Sequence, residues 1–191
     1  MSDEARVAAP AVVGLAGPGH RALLERLAIP VVSAPIADHF LLVEADGRLE
    51  LRPPEALDRP GLRAELPPEK SGRSSGAHPL VRAFGKARIP ILDLTAGLGA
   101  DAYRLADAGH RVRACEREPA VFALLQSSWD EAKRTGRVPA ALAARLELVF
   151  ADARDLLAAL DPVVGGEGGV YLDPMYPPPK RASALPRREL Q

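Results

Sequence analysis

The sequence is poor in several features that assign many proteins to a class. Its single cysteine, Cys115, excludes an intrachain disulfide framework and a cysteine-rich zinc site. Cys115 falls within a predicted strand, where we expect an inert buried thiol. The 25 basic residues are matched by 25 acidic ones, so the formal net charge is zero. This balance excludes a globally basic nucleic-acid binder.

Long apolar segments are also lacking. No run approaches the roughly 20 apolar residues that a membrane helix needs. The first residues carry Asp3 and Glu4 rather than the apolar core of a signal peptide. We therefore expect a cytoplasmic protein. With 191 residues, of which 47% are hydrophobic, the chain is long enough for one well-buried domain and a smaller unit.

Strands and helices alternate from residue 89 onward. Apolar runs predict strands at 89–94, 110–116, 145–150 and 169–173, and amphipathic patterns predict helices at 101–108, 120–134 and 153–160. This order is typical of a doubly wound, Rossmann-like α/β fold with a parallel sheet and right-handed crossovers.

The preceding residues predict a separate small unit. Two apolar runs flank Asp46-Gly47, a dipeptide that strongly favours a β-hairpin. We expect an α+β subdomain over residues 1–69, a linker with a short helix over 70–88, and the α/β domain over 89–191.

A glycine-rich turn follows the first strand of the α/β domain. Gly97 and Gly99 lie between that strand and a helix, an arrangement typical of nucleotide sites. The spacing Gly97-x-Gly99-x-x-Ala102 also fits a loose dinucleotide fingerprint. However, Asp93 precedes the turn and would repel a pyrophosphate. A sulfonium cofactor, S-adenosylmethionine, therefore suits this turn better than NAD.

Acidic residues stand at or just after the ends of all four predicted strands. They are Asp93, Glu116, Asp152 and Asp173. Open α/β sheets bind ligands at this edge, so we expect the acids to line a cofactor site. Glu116, nineteen residues after Gly97, has the spacing of an acid that accepts ribose hydroxyls. Asp152 fits two roles equally, a contact near the adenine or a cap on the following helix.

The most specific pattern is Asp173-Pro174-Met175-Tyr176, which directly follows the last predicted strand. The Asp173 carboxylate and the Pro174 carbonyl could accept hydrogen bonds from a base amino group and align it for methylation. Tyr176 offers a ring on which the base can stack. We expect these three residues to be catalytic.

Three segments resemble a known family. Residues 94–101, 115–119 and 170–177 are similar to motifs of the ribosomal RNA small subunit methyltransferase J family, which methylates a guanine amino group in 16S rRNA. The resemblance implies a class I fold, S-adenosylmethionine as cofactor and no metal. It further implies cofactor contacts at Ala100, Asp101, Glu116, Arg117, Asp152, Ala153 and Asp173.

The chain departs from this family in two respects. Ala100 stands where the family usually has Arg, and Asp152-Ala153 stand where it has a Ser pair, so these contacts would be made by backbone atoms. The family also continues with three further strands. We therefore expect either a sheet truncated after its fourth strand or a dimer or partner that covers its edge, and we expect the chain as given to have impaired stability and activity.

Basic residues outside the sheet are candidates for RNA phosphate contacts. They are Arg73, Arg82, Lys180, Arg181, Arg187 and Arg188. The leading hypothesis is an rRNA guanine-N2 methyltransferase that acts on 16S rRNA or the small ribosomal subunit. The alternatives are a non-catalytic module that binds the cofactor and RNA and, less favoured, an NAD-dependent oxidoreductase.

Overall fold

The computed structural model describes residues 11–15, 17–67, 78–85, 87–158 and 168–174. The strands of this part are β1 (Val12–Leu15), β2 (Phe40–Ala45), β3 (Arg48–Arg52), β4 (Pro90–Asp93), β5 (Arg111–Glu116), β6 (Leu146–Phe150) and β7 (Gly169–Tyr171). The helices are α1 (Pro18–Arg26), α2 (Pro79–Phe84), α3 (Ala100–Asp107), α4 (Pro119–Arg134), α5 (Ala140–Ala143) and α6 (Ala153–Ala158). None of these helices is long and apolar enough to cross a membrane.

Strands β4 to β7 form a parallel sheet in the order β6-β5-β4-β7. The predicted α/β fold is therefore confirmed, with strand ends within about two residues of those predicted. Because the strands are parallel, their carboxyl ends meet at one edge, with β4 between β5 and β7. Val170 and Leu172 are 43% and 57% exposed. The partner expected at that side of the sheet stays a prediction.

Alternation along the strands places one apolar face of this sheet against α3 and α4. Ile91, Val112 and Ala114 are buried there with Leu105 of α3 and Trp129 of α4. Glycine and proline explain where the helices stop and start. Helix α3 is followed by Gly109, whose φ is 104°, and α4 begins at Pro119.

Cys115 lies in β5 and is 1% exposed. Its Sγ donates a hydrogen bond to the carbonyl oxygen of Ala151 at 2.9 Å. Burial raises the pKa of this thiol to about 11, so the reactive thiolate is scarce at neutral pH. The geometry agrees with the inert thiol expected from the sequence.

The N-terminal residues build a second, three-stranded sheet. Strand β1 pairs in parallel with β2, and β2 pairs antiparallel with β3. The β2–β3 turn is Asp46-Gly47, with φ of 51° and 74°. Both torsions are positive, as a tight hairpin requires, so the predicted hairpin is confirmed.

Helix α4 joins the two sheets. Leu24, Leu42 and Leu49 of the N-terminal unit share a buried cluster with Phe122 and Leu124 of α4. Two buried serines of α4 add polar links across this contact. Ser127 Oγ accepts the N–H of Leu49 at 3.1 Å, and Ser128 Oγ donates to the carbonyl of Ala64 at 2.7 Å. The two sheets are thus packed through one helix, while the expected domain boundaries stay a prediction.

Close packing of Gly99 generates a test of the fold. Gly99 precedes α3 with φ of 82°, and a Cβ there would lie 2.4 Å from Leu125 Cδ1. We expect Gly99→Ala to lower the free energy of unfolding by about 2–3 kcal/mol, because backbone strain and overpacking add. Gly136→Ala is the matched control, with φ of 71° and no atom within 4 Å. Urea unfolding should show a loss of only about 1 kcal/mol for the control, and equal losses would contradict the packing argument.

Candidate functional site

Four acidic side chains meet at the carboxyl edge of the parallel sheet. Asp93 ends β4, Glu116 ends β5 and Asp173 follows β7. Asp101 reaches the same place from the first turn of α3. The charges of the other three carboxylates all act on Asp93 and raise its pKa. The structure thus brings together four of the residues predicted to bind a cofactor.

Asp93 is the most buried member of this acidic cluster. It is 1% exposed, and its Oδ1 accepts the N–H of Thr95 at 3.0 Å. Burial is the main reason that its pKa rises to about 6, and repulsion from the other carboxylates adds to the rise. Within the described residues no Lys or Arg forms an ion pair with Asp93. A cationic ligand is therefore the natural complement of this carboxylate.

The glycine turn leaves room beside the acids. Gly97 has φ of 53°, and a Cβ added there would meet nothing nearer than the carbonyl oxygen of Thr95, at 3.9 Å. A ligand can therefore approach the backbone closely at Gly97. Gly99, by contrast, is packed against α4. Only the first of the two predicted glycines faces open space.

Glu116 holds the glycine turn in place. Its Oε2 accepts the N–H of Gly97 at 3.0 Å, while its Oε1 accepts the N–H groups of Arg117 and Glu118, both at 2.8 Å. A carboxylate has about four lone-pair directions, so these bonds leave some capacity for a hydroxyl. The predicted contact with ribose stays a prediction. The bond to Gly97 was not expected from the sequence.

Both carboxylate oxygens of Asp101 are hydrogen-bonded. Oδ1 accepts from Arg104 Nη1 and Oδ2 accepts from the Tyr171 hydroxyl, each at 2.8 Å. Burial and the Asp101 carboxylate raise the pKa of Tyr171. Sequence reasoning missed both partners, although Arg104 lies one helical turn from Asp101 and Tyr171 lies two residues before Asp173.

A second hydroxyl group fastens the segment that follows β7. The N–H of Leu94 donates to the Tyr171 carbonyl at 3.0 Å. Next to this bond, Thr95 Oγ1 accepts the N–H of Asp173 at 2.7 Å. Asp173 and Pro174 are exposed. Tyr176, the predicted stacking residue, lies outside the described part of the chain.

Asp152 lies after β6 and caps α6. Its Oδ1 accepts the backbone N–H of Arg154 at 2.9 Å, and its Oδ2 accepts from Arg154 Nη2 at 2.7 Å. These bonds, with Arg117 Nη1 at 3.8 Å, hold the pKa of Asp152 well below its usual range. Of the two roles predicted for Asp152, the structure supports capping. A cofactor contact by Asp152 or Ala153 stays a prediction.

The predicted RNA-contacting residues are only partly described. Arg82 is exposed on α2. The others lie outside the described residues, namely Arg73, Lys180, Arg181, Arg187 and Arg188. Nowhere in the described ranges do three or more His, Cys, Asp or Glu side chains form a group suited to a metal ion.

The chain is similar to a known protein family and to a solved structure. A family model described as "Putative SAM-dependent methyltransferase" matches residues 37–191. The crystal structure of a SAM-dependent methyltransferase from Neisseria gonorrhoeae aligns with a TM-score of 0.68 and 28% identity, covering 86% of this chain and 69% of that one. The range matched by the family model includes the glycine turn and the acidic cluster.

Curated relatives carry the name ribosomal RNA small subunit methyltransferase J. The Vibrio vulnificus protein is 39% identical over 169 residues, which are 80% of this chain and 64% of the relative. The Haemophilus influenzae protein is 37% identical over 161 residues, which are 78% of this chain and 60% of the relative. The chain thus spans less than two thirds of the length of these relatives.

The raised pKa of Asp93 predicts how stability depends on pH. In the unfolded chain Asp93 ionises near pH 3.8, but in the folded chain it ionises only near pH 6. Its contribution to stability is therefore largest below pH 3.8 and falls as pH rises toward about 6. We expect Asp93→Asn, which keeps an acceptor for Thr95, to be more stable than wild type by up to about 3 kcal/mol at pH 7.5.

Urea unfolding at pH 4 and pH 7.5 measures this effect. The difference between Asp93→Asn and wild type should grow with pH over this interval. Asp58→Asn, at an exposed aspartate of the N-terminal unit, is the matched control. Parallel stability curves for wild type and Asp93→Asn would refute the assigned burial cost.

Proposed function

The chain belongs to the SAM-dependent methyltransferase family, and from this premise we propose that it transfers a methyl group from S-adenosylmethionine to the exocyclic N2 amino group of a guanine in 16S rRNA. Family membership confirms the resemblance drawn from three short motifs. The main support for the proposal is the position of Asp173-Pro174. These residues follow β7, which pairs with β4, and so lie beside the acid-lined glycine turn that follows β4. The names of the relatives support rRNA as the substrate.

The charges at the sheet edge support a cationic methyl donor. S-adenosylmethionine supplies an electrophilic methyl group on a positively charged sulfur, and it carries no phosphate. Asp93 lacks an ion-pair partner in the described ranges, so a bound cation would stabilise its charged form. A dinucleotide pyrophosphate would instead be repelled. Gly97 and Asp101 would hold the donor, and Glu116 would accept its ribose hydroxyls.

The segment after β7 would align the amino group that is methylated. The Asp173 carboxylate and the Pro174 carbonyl accept its two N–H bonds, which leaves the nitrogen lone pair free to face the methyl group. Tyr176 stacks on the extruded base. Transfer would be direct and in line, without a covalent enzyme intermediate: the amino nitrogen would gain the methyl group as its bond to sulfur breaks, the donor would leave as S-adenosylhomocysteine, and the amino group would release one proton to Asp173 or to water. Catalysis comes mainly from proximity and orientation.

Basic residues would bind the phosphates around the target guanine. The exposure of Arg82 on α2 supports this role. We assign the same role to Arg73, Lys180, Arg181, Arg187 and Arg188. Contacts of this kind add affinity that falls as the salt concentration rises.

Calorimetry separates the proposed donor from NAD. We expect S-adenosylmethionine and S-adenosylhomocysteine to bind and NAD not to bind. We also expect the affinity for S-adenosylmethionine to rise as pH increases from 5 to 7.5, because Asp93 loses its proton near pH 6. In Asp93→Asn this pH dependence should disappear, whereas Asp58→Asn should retain it. Binding of NAD alone would overturn the proposed function.

Transfer of a tritiated methyl group to undermethylated 16S rRNA tests the role of Asp173. We expect Asp173→Ala to slow transfer by about 100-fold or more, because the acceptor that aligns the amino group is lost. Binding of S-adenosylhomocysteine should weaken far less than transfer slows, because Asp93, Asp101 and Glu116 remain, and Asp58→Ala should transfer at the wild-type rate. An unaffected rate in Asp173→Ala would refute the assignment. Donor binding without any transfer by wild type would favour the non-catalytic module.

A further inference from the structure

Two hydroxyl groups tie the turn after β4 to the segment that follows β7. We define residues 94–101 as the donor loop and residues 171–174 as the acceptor segment. We propose that Thr95 and Tyr171 are positioning residues: Thr95 sets the place of Asp173 for the amino group, and Tyr171 sets the place of Asp101 for the methyl donor. The inference rests on the proposed methyl transfer and deepens it.

Thr95 connects the two acids at the ends of β4 and β7. Its N–H donates to Asp93 Oδ1 at 3.0 Å, and its Oγ1 accepts the N–H of Asp173 at 2.7 Å. Asp173 is exposed, so burial does not determine its position. The last parallel pairing of β7 is at Tyr171, and the Thr95 hydroxyl extends the attachment to β4 by two residues. Without this hydroxyl, the Asp173 backbone would lose its link to the donor loop.

Tyr171 connects the acceptor segment to the first turn of α3. Its hydroxyl donates to Asp101 Oδ2 at 2.8 Å. Its ring lies edge-on to Phe84, with centroids 6.4 Å apart, and packs against the buried core. A ring held by packing makes the hydroxyl a rigid support. The Asp101 side chain is 33% exposed, so without Tyr171 only Arg104, among the described residues, would restrain it.

The two hydroxyls should affect different kinetic constants. Thr95 acts on the backbone of Asp173, which aligns the amino group during transfer, so its loss should lower kcat. Tyr171 acts on Asp101, which belongs to the acids around the donor, so its loss should raise the KM for S-adenosylmethionine. A merely structural role for either residue would not separate kcat from KM.

Thr95→Val keeps the shape of the side chain and removes the hydroxyl. We expect kcat to fall by about 10-fold or more, with the KM for S-adenosylmethionine within about threefold of wild type. Thr95→Ser keeps the hydroxyl and should restore kcat to within about threefold. Thr135→Val is the matched control, because in the described part of the chain the Thr135 hydroxyl bonds within the last turn of α4 and to Arg137, and not to the acceptor segment.

Tyr171→Phe removes a single oxygen. We expect the KM for S-adenosylmethionine to rise by about 10-fold, with kcat within about threefold of wild type. Calorimetry with S-adenosylhomocysteine should show a similar loss of affinity. Tyr103→Phe is the matched control, since Tyr103 lies in the same helix as Asp101 and is buried in the hydrophobic core of the α/β sheet.

Amide hydrogen exchange tests Thr95 without any cofactor. In the free protein, Thr95→Val should speed exchange of the Asp173 amide by about 10-fold, whereas Thr95→Ser and Thr135→Val should not. Melting curves of all variants report whether each one folds. Kinetics and exchange like those of the controls would overturn the positioning roles and leave the proposed function standing. A wild-type protein that neither binds the donor nor transfers methyl groups would overturn the proposed function and the kinetic roles together.

Discussion

The buried carboxyl group of Asp93 is the constraint on which the site depends. It ends β4, between β5 and β7, and takes part in the parallel pairing with both neighbours. A charged group in this position costs free energy, and the rise of the pKa of Asp93 to about 6 is the expression of that cost. A bound cation would remove the same cost. The free energy that the ionised Asp93 carboxylate costs the free protein would therefore be recovered on binding, and would add to the affinity for a positively charged donor.

The other acids of the cluster are held in different ways, and the difference suits them to different roles. Glu116 accepts three backbone N–H groups and fixes the glycine turn, while Asp101 is held by Arg104 and Tyr171. Asp173 is fixed through its backbone, so its carboxylate stays accessible to a substrate. Rigid acids thus line the proposed donor site, and the acid assigned to the acceptor lies at the surface. Such an arrangement suits a reaction that depends on orientation.

Helix α4 packs against the start of α3 on one side and against the N-terminal sheet on the other. Leu125 packs against Gly99 at the start of α3, and Leu124 packs among the leucines of the N-terminal sheet. Ser127 and Ser128 satisfy buried polar groups of the N-terminal unit. One helix therefore packs against both the glycine turn and the N-terminal sheet. The sheet contributes to the site by packing and not by a catalytic side chain within the described residues.

Local patterns in the sequence determined the strands and helices of the α/β fold, the Asp46-Gly47 hairpin, the glycine turn and the acids at the strand ends. These features follow from periodicity and turn chemistry, which act over a few residues. The four-residue helix α5 was missed because it is too short to show a period. Only the tertiary structure decided which acid is buried and which hydrogen bonds hold the others. Those bonds join Gly97 to Glu116, Asp101 to Tyr171 and Thr95 to Asp173, across 19, 70 and 78 positions. Residues so far apart meet only when the sheet assembles, and no local pattern encodes their contact.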